Sequence, residues 1–312
     1  MNIINAHVHL LELTPPELRS ISSLLSGIAV FSDFEALAPM LDPAEVIAQM
    51  DEAGIDQSVL YAVEAPIVYA SNEYVHELCN RHPDRFIGFA SLDPNSSDAP
   101  QVLESAVRNL GMRGLKLHPP MQDFFPNDPK VFPVYEKCVE LDIPVVFHVG
   151  TTPFGYLCKL SQASPLLVDE VAVRFPRLRI MLTHLGTLWH NEAFMVVEKN
   201  PNVFIDTAAY LSEIRTILTP DLIDRIGADK IIFGTDYPMP YGGRMHRMKD
   251  FVDCLCEYDL PEETLAGFFH GNFTRLLHGD ARLAEMCNPE RLKADLRKFM
   301  GHRSVSGKRE MA

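Results

Sequence analysis

The stretch IINAHVHL at residues 3–10 decides the fold of this chain. Its first half is short and apolar, as expected for a strand that is buried on both faces in a parallel sheet. It ends with His7 and His9, and side chains two residues apart on a strand point the same way. Both imidazoles can therefore face one site at the end of the first strand.

Seven further strand-like runs follow along the chain, and several of them end in Gly or Pro. They are QSVLYAV from Gln57, RFIGFASL from Arg85, RGLKLHP from Arg113, IPVVFHVG from Ile143, RIMLTHLG from Arg179, VFIDTAAY from Val203 and IIFGTDYP from Ile231. Segments such as 43–54, 99–111 and 132–142 have the pattern of helices. Eight strands that alternate with helices predict an α/β fold, the (β/α)8 or TIM barrel. An open doubly wound sheet is the alternative, which the lack of a glycine-rich phosphate loop after the first strand weakens.

Two segments of the sequence lie outside this alternation. Residues 11–42 form a long insertion after the first strand, and we expect it to lie over the mouth of the barrel as a lid. Extra helical segments follow the eighth strand. We therefore predict a barrel over residues 1–280 that includes this insertion, and a C-terminal helix and tail over residues 281–312.

The composition disfavours several classes of partner. The 312 residues carry a formal net charge of −14, which argues against a nucleic-acid groove and against docking on an anionic membrane. We recognise no secretory leader in the opening residues and no apolar stretch long enough to span a bilayer. The six cysteines show no CxxC spacing. We expect a cytoplasmic protein that acts on a small molecule.

Titratable side chains stand at the ends of several predicted strands. Lys116 and His118 lie on the fourth strand, and His148, His184 and Asp236 end the fifth, sixth and eighth. A single histidine in an apolar strand is more often a hydrogen-bonded core residue than a ligand, so no position is decisive alone. All these ends meet at one mouth of a barrel, where burying so many titratable groups is costly without a cation. Imidazole and carboxylate together suit zinc, with manganese or iron as alternatives.

The motifs NAHVHL, GLKLHPP, VVFHVG, MLTHLG and FGTDYP together resemble the amidohydrolase superfamily. They are most similar to the amidohydrolase-related branch that includes aminocarboxymuconate-semialdehyde decarboxylase, over a stretch from about Ile3 to Asn272. The resemblance implies one divalent metal per chain and assembly as a homodimer or larger homo-oligomer. The metal ligands that it implies are His7, His9, His148 and Asp236.

The same resemblance implies roles for other residues of the site. His184 matches a histidine that serves acid/base or substrate-orienting work, and Asp236 is the second catalytic residue. Lys116 has three interpretations: a charge partner or substrate contact, a carboxylated bridge between two metals as in binuclear members, or a structural ion pair.

Two functions compete on these grounds. The first is a metal-dependent hydrolase that uses metal-activated water on an amide, ester, lactone or vinylogous C–C bond of a small organic substrate. The alternative is a non-oxidative, metal-dependent decarboxylase of an aromatic or dienoic acid. The residues that we expect to contact the substrate are Lys116, His118, Arg244 and Trp189. A barrel without chemistry would show gaps in the ligand set, and the sequence shows none.

Overall fold

The predicted strands form a closed parallel barrel. The computed structural model describes residues 2–24, 34–66, 68–152, 154–238 and 245–306. Its strands are β1 (Ile4–Val8), β2 (Gln57–Tyr61), β3 (Val63–Glu64), β4 (Tyr69–Ala70), β5 (Phe86–Phe89), β6 (Leu115–Leu117), β7 (Val145–Phe147), β8 (Ile180–Leu182), β9 (Val203–Asp206) and β10 (Ile231–Ile232). Parallel bridges from Val8 to Tyr237 and from Ala90 to Leu115 join the sheet β1-β2-β5 to the sheet β6-β7-β8-β9-β10. The predicted (β/α)8 barrel is confirmed, and β3 and β4 form an additional antiparallel hairpin.

Helices follow the strands and cover the outside of the barrel. They are α1 (Pro15–Leu24), α2 (Pro43–Ala53), α3 (Asn72–Arg81), α4 (Ala99–Leu110), α5 (Phe132–Glu140), α6 (Pro165–Arg174), α7 (His190–Lys199), α8 (Leu211–Ile217), α9 (Pro220–Ile226), α10 (Met248–Cys256), α11 (Glu262–Ala266), α12 (Asn272–His278), α13 (Ala281–Met286) and α14 (Pro289–Ser306). Sequence signals explain the boundaries. The Asp42 carboxylate accepts from the Ala44 N–H (2.8 Å) to cap α2, and Gly54 ends that helix with a φ of 69°. None of the helices in the described ranges is long and apolar enough to cross a membrane.

The insertion at 11–42 packs beside the mouth of the barrel as far as it is described. It contains α1 and a 3-10 helix from Phe34 to Leu41, and residues 25–33 lie outside the described residues. Leu18 and Leu37 from these two elements pack in an apolar cluster with Met121 and Phe154. Burial of this apolar surface holds the described part of the insertion against loops that follow other strands.

The interior of the barrel is apolar at the amino-terminal end of its strands. One buried cluster fills this end with Ile4, Ala6, Val59, Tyr61, Phe89, Val146, Met181, Phe204 and Ile232. Phe273 and Leu276 of α12 and Leu283 of α13 belong to the same cluster and close the end of the barrel. Residues just beyond the predicted boundary at 280 thus pack against the barrel, whereas residues 307–312 lie outside the described residues.

A register shift in β1 directs His7 toward the interior. Asn5 pairs with Ser58 but Val8 pairs with Leu60, so between these two pairs β1 contains one more residue than β2. Such a bulge changes which side chains face the interior. As a result Ala6 belongs to the apolar cluster while the adjacent His7 lines the cavity above it.

Candidate active site

Three predicted metal ligands meet in a buried triangle at the carboxyl-terminal end of the barrel. The Nε2 atoms of His7 and His9 are 3.2 Å apart, and each lies 3.1–3.2 Å from Oδ1 of Asp236. Asp236 adopts a left-handed backbone conformation with a φ of 55°, which is uncommon for a residue other than glycine. Strain of this kind occurs where a side chain must be aimed at a functional site.

A second carboxylate fixes the orientation of His7. Asp206, at the end of β9, is fully buried and lies 2.7 Å from His7 Nδ1. Its other oxygen accepts from the backbone N–H of His184 (2.7 Å) and of Ala208 (3.1 Å). Although burial would raise the pKa of Asp206, the charge and hydrogen bond of His7, with the charges of His184 and Lys116, keep it below its ordinary value. The Asp206 carboxylate accepts from His7 Nδ1–H, and this contact directs the lone pair on Nε2 into the site beside Asp236.

The triangle fits a divalent metal. Burial lowers the pKa of His9 to about 4, so this imidazole is neutral at pH 7 despite its contact with Asp236. Nitrogen and oxygen acceptors this close repel each other unless a cation lies between them. Ligand atoms at about 2.0–2.1 Å from one zinc-sized ion have comparable separations. His7, His9 and Asp236 are therefore suited to hold such an ion, with Asp206 behind His7.

His148, the fourth predicted ligand, lies on the far side of His184 in a hydrogen-bonded chain. His184 Nδ1 donates to the Ala208 carbonyl (2.6 Å), and its Nε2 lies 3.0 Å from His148 Nδ1. His148 Nε2 accepts from the Thr152 hydroxyl (2.7 Å). Burial lowers the pKa of His184 to about 4 and that of His148 well below its ordinary value. The structure thus places His148 next to the triangle and does not include it in the three-residue cluster.

Lys116 is buried beside this centre without a hydrogen-bond partner in the described part of the chain. Its side chain is on β6, the residue is 3% exposed, and Nζ lies 4.9 Å from the centre of the Tyr61 ring. Burial lowers its pKa to about 8, against the opposing attraction of Asp206 and Asp236. A lysine in this state can bind an anionic group that enters the cavity.

His118 stacks on His148 and is held by its own loop. The two ring centroids are 3.8 Å apart, and His118 Nδ1 accepts from the Met121 N–H (3.3 Å). The Gln122 amide oxygen accepts from the His118 N–H (2.7 Å), while its nitrogen donates to two carbonyls of neighbouring loops. Burial lowers the pKa of His118 well below its ordinary value, so the ring is neutral. With Nδ1 as an acceptor, Nε2–H is the donor, and no described residue accepts from it.

These side chains line one cavity of about 140 Å³ at the mouth of the barrel. Its apolar walls are formed by Leu11, Ala62, Val63, Val68, Met121 and Phe154. Its polar surface comes from the residues described above, together with Glu64, Ser91, Gln122, Thr151, Thr187 and Tyr210. A small space of this kind, mostly apolar with a few convergent polar groups, is typical of a small-molecule site.

Of the predicted substrate contacts, Trp189 does not line the described cavity. Trp189 is half-buried and precedes α7, where its N–H donates to the Gly186 carbonyl (2.7 Å), and it does not line the cavity. The tight turn at residues 184–188, with left-handed His184 and Leu188, directs the chain there. Arg244 lies outside the described residues.

Sequence reasoning missed Asp206, Glu64 and Thr152. Asp206 had a signal, because it ends the seventh strand-like run VFIDTAAY as Asp236 ends the eighth. Glu64 and Thr152 stand in connections after strands, and polar residues in such loops are too common to single out from one sequence.

Comparisons with known proteins show what this chain is similar to in sequence and in fold. A gamma-resorcylate decarboxylase from Rhizobium radiobacter is 27% identical over 248 residues, which cover 61% of this chain and 74% of that protein. A 2-keto-4-carboxy-3-hexenedioate hydratase from Sphingobium is 28% identical over 259 residues, covering 69% and 72%. The structure of a dihydroxybenzoic acid decarboxylase from Polaromonas, with bound manganese and 2-nitroresorcinol, superposes with a TM-score of 0.68 at 21% identity, covering 91% and 99%. The Amidohydrolase family model matches residues 4–279, and the chain therefore belongs to the amidohydrolase family.

Proposed function

We propose that this protein is a metal-dependent, non-oxidative decarboxylase of a small aromatic or dienoic acid. The observation that carries the proposal is the triangle of His7, His9 and Asp236 on the floor of an apolar-walled cavity. Beside it lies Lys116, which has no hydrogen-bond partner among the described residues. A curated relative that decarboxylates an aromatic acid supports this reading over hydrolysis, our first expectation from the sequence. Hydrolysis is supported by the family name alone.

We assign one divalent metal per chain to His7, His9 and Asp236, with His148 as the fourth ligand. When bound, the metal supplies positive charge that holds an acidic substrate and stabilises negative charge that develops on it. Manganese in the related structure supports testing manganese as well as zinc, the metal first expected from the ligand types. Asp206 keeps His7 in the tautomer that presents Nε2.

His184 and Asp236 handle the proton of the reaction. In decarboxylation the bond between the ring and the carboxylate breaks, its electron pair stays on the ring carbon, and that carbon takes up a proton. His184 donates from Nδ1 to Ala208, so its Nε2 is the proton-accepting atom. Burial lowers the pKa of His184 to about 4. Burial alone would raise the pKa of Asp236, but the neighbouring histidines hold it well below its ordinary value. Both groups are therefore unprotonated at neutral pH. One of them therefore takes up a proton from water as the substrate carboxylate binds, and it passes this proton to the ring carbon as carbon dioxide leaves.

The remaining polar groups bind and orient the substrate in this proposal. Lys116 contacts an anionic oxygen, His118 donates a hydrogen bond from Nε2, and Phe154 and Met121 contact the flat face of the ring. The walls keep water from the carbanion-like centre. We also propose that the protein acts in the cytoplasm as a homo-oligomer. Light scattering of the purified protein would check the oligomeric state.

The test is release of carbon dioxide by the metal-reconstituted protein. We expect γ-resorcylate, or another hydroxybenzoate in a panel, to yield carbon dioxide and the matching phenol in a 1:1 ratio. Chelation and Asp236→Asn should each abolish the reaction, whereas the exposed Asp221→Asn should not. If no acid loses carbon dioxide while an ester, amide or lactone is hydrolysed, the hydrolase reading replaces this one.

A further inference from the structure

The cavity carries opposite charges on its floor and at its rim. Lys116 on the floor is buried and lacks a hydrogen-bond partner among the described residues. Glu64 lines the same cavity but is exposed, and it forms no ion pair with a described residue. An entering molecule would therefore meet a carboxylate at one end and an ammonium at the other.

Glu64 is held rigidly relative to the barrel. It pairs with Tyr69 in the hairpin of β3 and β4. Its N–H donates to the Ser91 hydroxyl (3.2 Å), and its carbonyl accepts from the Gln122 amide (3.0 Å). Ser91 and Gln122 themselves line the cavity. The position of the Glu64 backbone is thus fixed by the same residues that shape the site.

Other carboxylates strengthen the negative charge at this rim. Burial raises the pKa of Glu64, and the negative charge of Asp93 raises it further. Burial also raises the pKa of Tyr69, and Glu64, Glu12 and Glu73 each add to this effect by their charge. Four carboxylates therefore act on the hairpin. Their combined electric field disfavours a further negative charge on a molecule that binds nearby.

We propose that Glu64 makes this site selective for acids with a single carboxylate and an uncharged or cationic far end, against diacids. The inference rests on the proposed function in taking the substrate to be a small acid held by its carboxylate at the floor, near Lys116. A second carboxylate on the ring would then point to the rim, where Glu64 repels it. A hydroxyl or amino group there can instead donate to the Glu64 carboxylate.

Binding of two matched acids tests the selectivity without any turnover. 3-Hydroxybenzoate and isophthalate differ in one ring substituent, a hydroxyl in place of a carboxylate. Their Kd values would be measured by calorimetry on manganese-loaded protein, for the wild type, Glu64→Gln and the exposed control Glu136→Gln on α5. We expect the wild type to prefer 3-hydroxybenzoate. Glu64→Gln should tighten isophthalate binding by roughly 3- to 10-fold and change 3-hydroxybenzoate less than about 2-fold, as for one partly screened charge. Glu136→Gln should leave the ratio near that of the wild type.

The outcomes separate this inference from the proposed reaction. An unchanged ratio of Kd values in Glu64→Gln would overturn the selectivity, even if the enzyme releases carbon dioxide from an acid. A shift as expected without any decarboxylation would support the selectivity and reject the reaction. If the wild type binds neither acid, or prefers isophthalate, the inference is wrong.

Discussion

The two ends of the barrel interior are built from the same strands but differ in almost every physical respect. At the amino-terminal end, Met181 and Phe204 pack in a fully apolar cluster with Phe273 of α12. At the carboxyl-terminal end, β8 leads to His184 and β9 ends with Asp206, both buried and polar. Within a few residues along one strand, the interior thus changes from a region whose burial stabilises the fold to one whose buried polar groups destabilise it.

Departures from ideal geometry occur at the polar end. His184 and Asp236 have positive φ values of 62° and 55°. His9 Nδ1 and Lys116 Nζ are buried without hydrogen-bond partners among the described residues. Such groups cost free energy in the folded state and persist because the rest of the barrel over-determines their positions. Burial of apolar side chains at the amino-terminal end therefore offsets the free-energy cost of these polar groups.

Removal of His7 in β1 and of His9 just after it should show most clearly that the two ends have separate roles. We expect His7→Ala with His9→Ala to lose nearly all bound metal, because two of the three triangle ligands disappear, while the circular dichroism spectrum stays that of a folded barrel. Elemental mass spectrometry of gently purified protein measures this, with the exposed His278→Ala as control. Metal retained at about one ion per chain would mean that the ion binds elsewhere.

The converse change at the apolar end is Phe204→Ala. This side chain is completely buried, so its loss should lower the free energy of unfolding by about 3–5 kcal/mol. The folded fraction should still bind metal at the wild-type stoichiometry. Urea unfolding gives the first quantity, and Phe125→Ala, at a residue that is 40% exposed, serves as the control. A matching loss of metal would show that the two ends are not independent.

Asp206→Asn tests the support behind the site. The amide cannot hold the His7 Nδ1–H as the carboxylate does, so metal affinity should fall by about 10- to 100-fold with little loss of fold. Competition with a metal indicator measures the affinity, and the exposed Asp259→Asn should behave as the wild type. An unchanged affinity would leave Asp206 with a structural role alone.

Lys116→Met should stabilise the metal-free protein. The lysine pKa is about 8 when folded and 10.5 ordinarily, so the folded state binds fewer protons between these values. Below pH 8 the buried charge therefore lowers the free energy of unfolding by its full amount. This penalty decreases as the pH rises from 8 toward 10.5. We expect a gain of about 1–3 kcal/mol at pH 7 that shrinks by pH 9.5. Urea unfolding at both pH values checks this.

The exposed Lys293→Met provides the control for that experiment, because its surface pairing contributes less than about 1 kcal/mol. A gain that is equal at pH 7 and 9.5 would assign the effect to packing and not to the buried charge.

Much of the barrel and part of its site were predictable from periodicity and position. The runs at IINAHVHL and IIFGTDYP are local signals, and parallel strands must end at a common face. His7, His9 and Asp236 were therefore expected together, and they lie within 3.2 Å of one another. For Trp189 the expectation rested on residue type alone, and a tight turn places it away from the described cavity.

The sequence by itself determined which strands exist, in what order they close, and which side chains stand at their ends, because these depend on local pattern. Tertiary structure decided the rest. The bulge in β1 that turns His7 inward, the pairing of His148 with His184, and the contact of Asp206 with a histidine 199 residues away depend on how the barrel closes. Atomic distances between remote residues, and hence pKa values and partners, are properties of that closure and not of any local stretch of sequence.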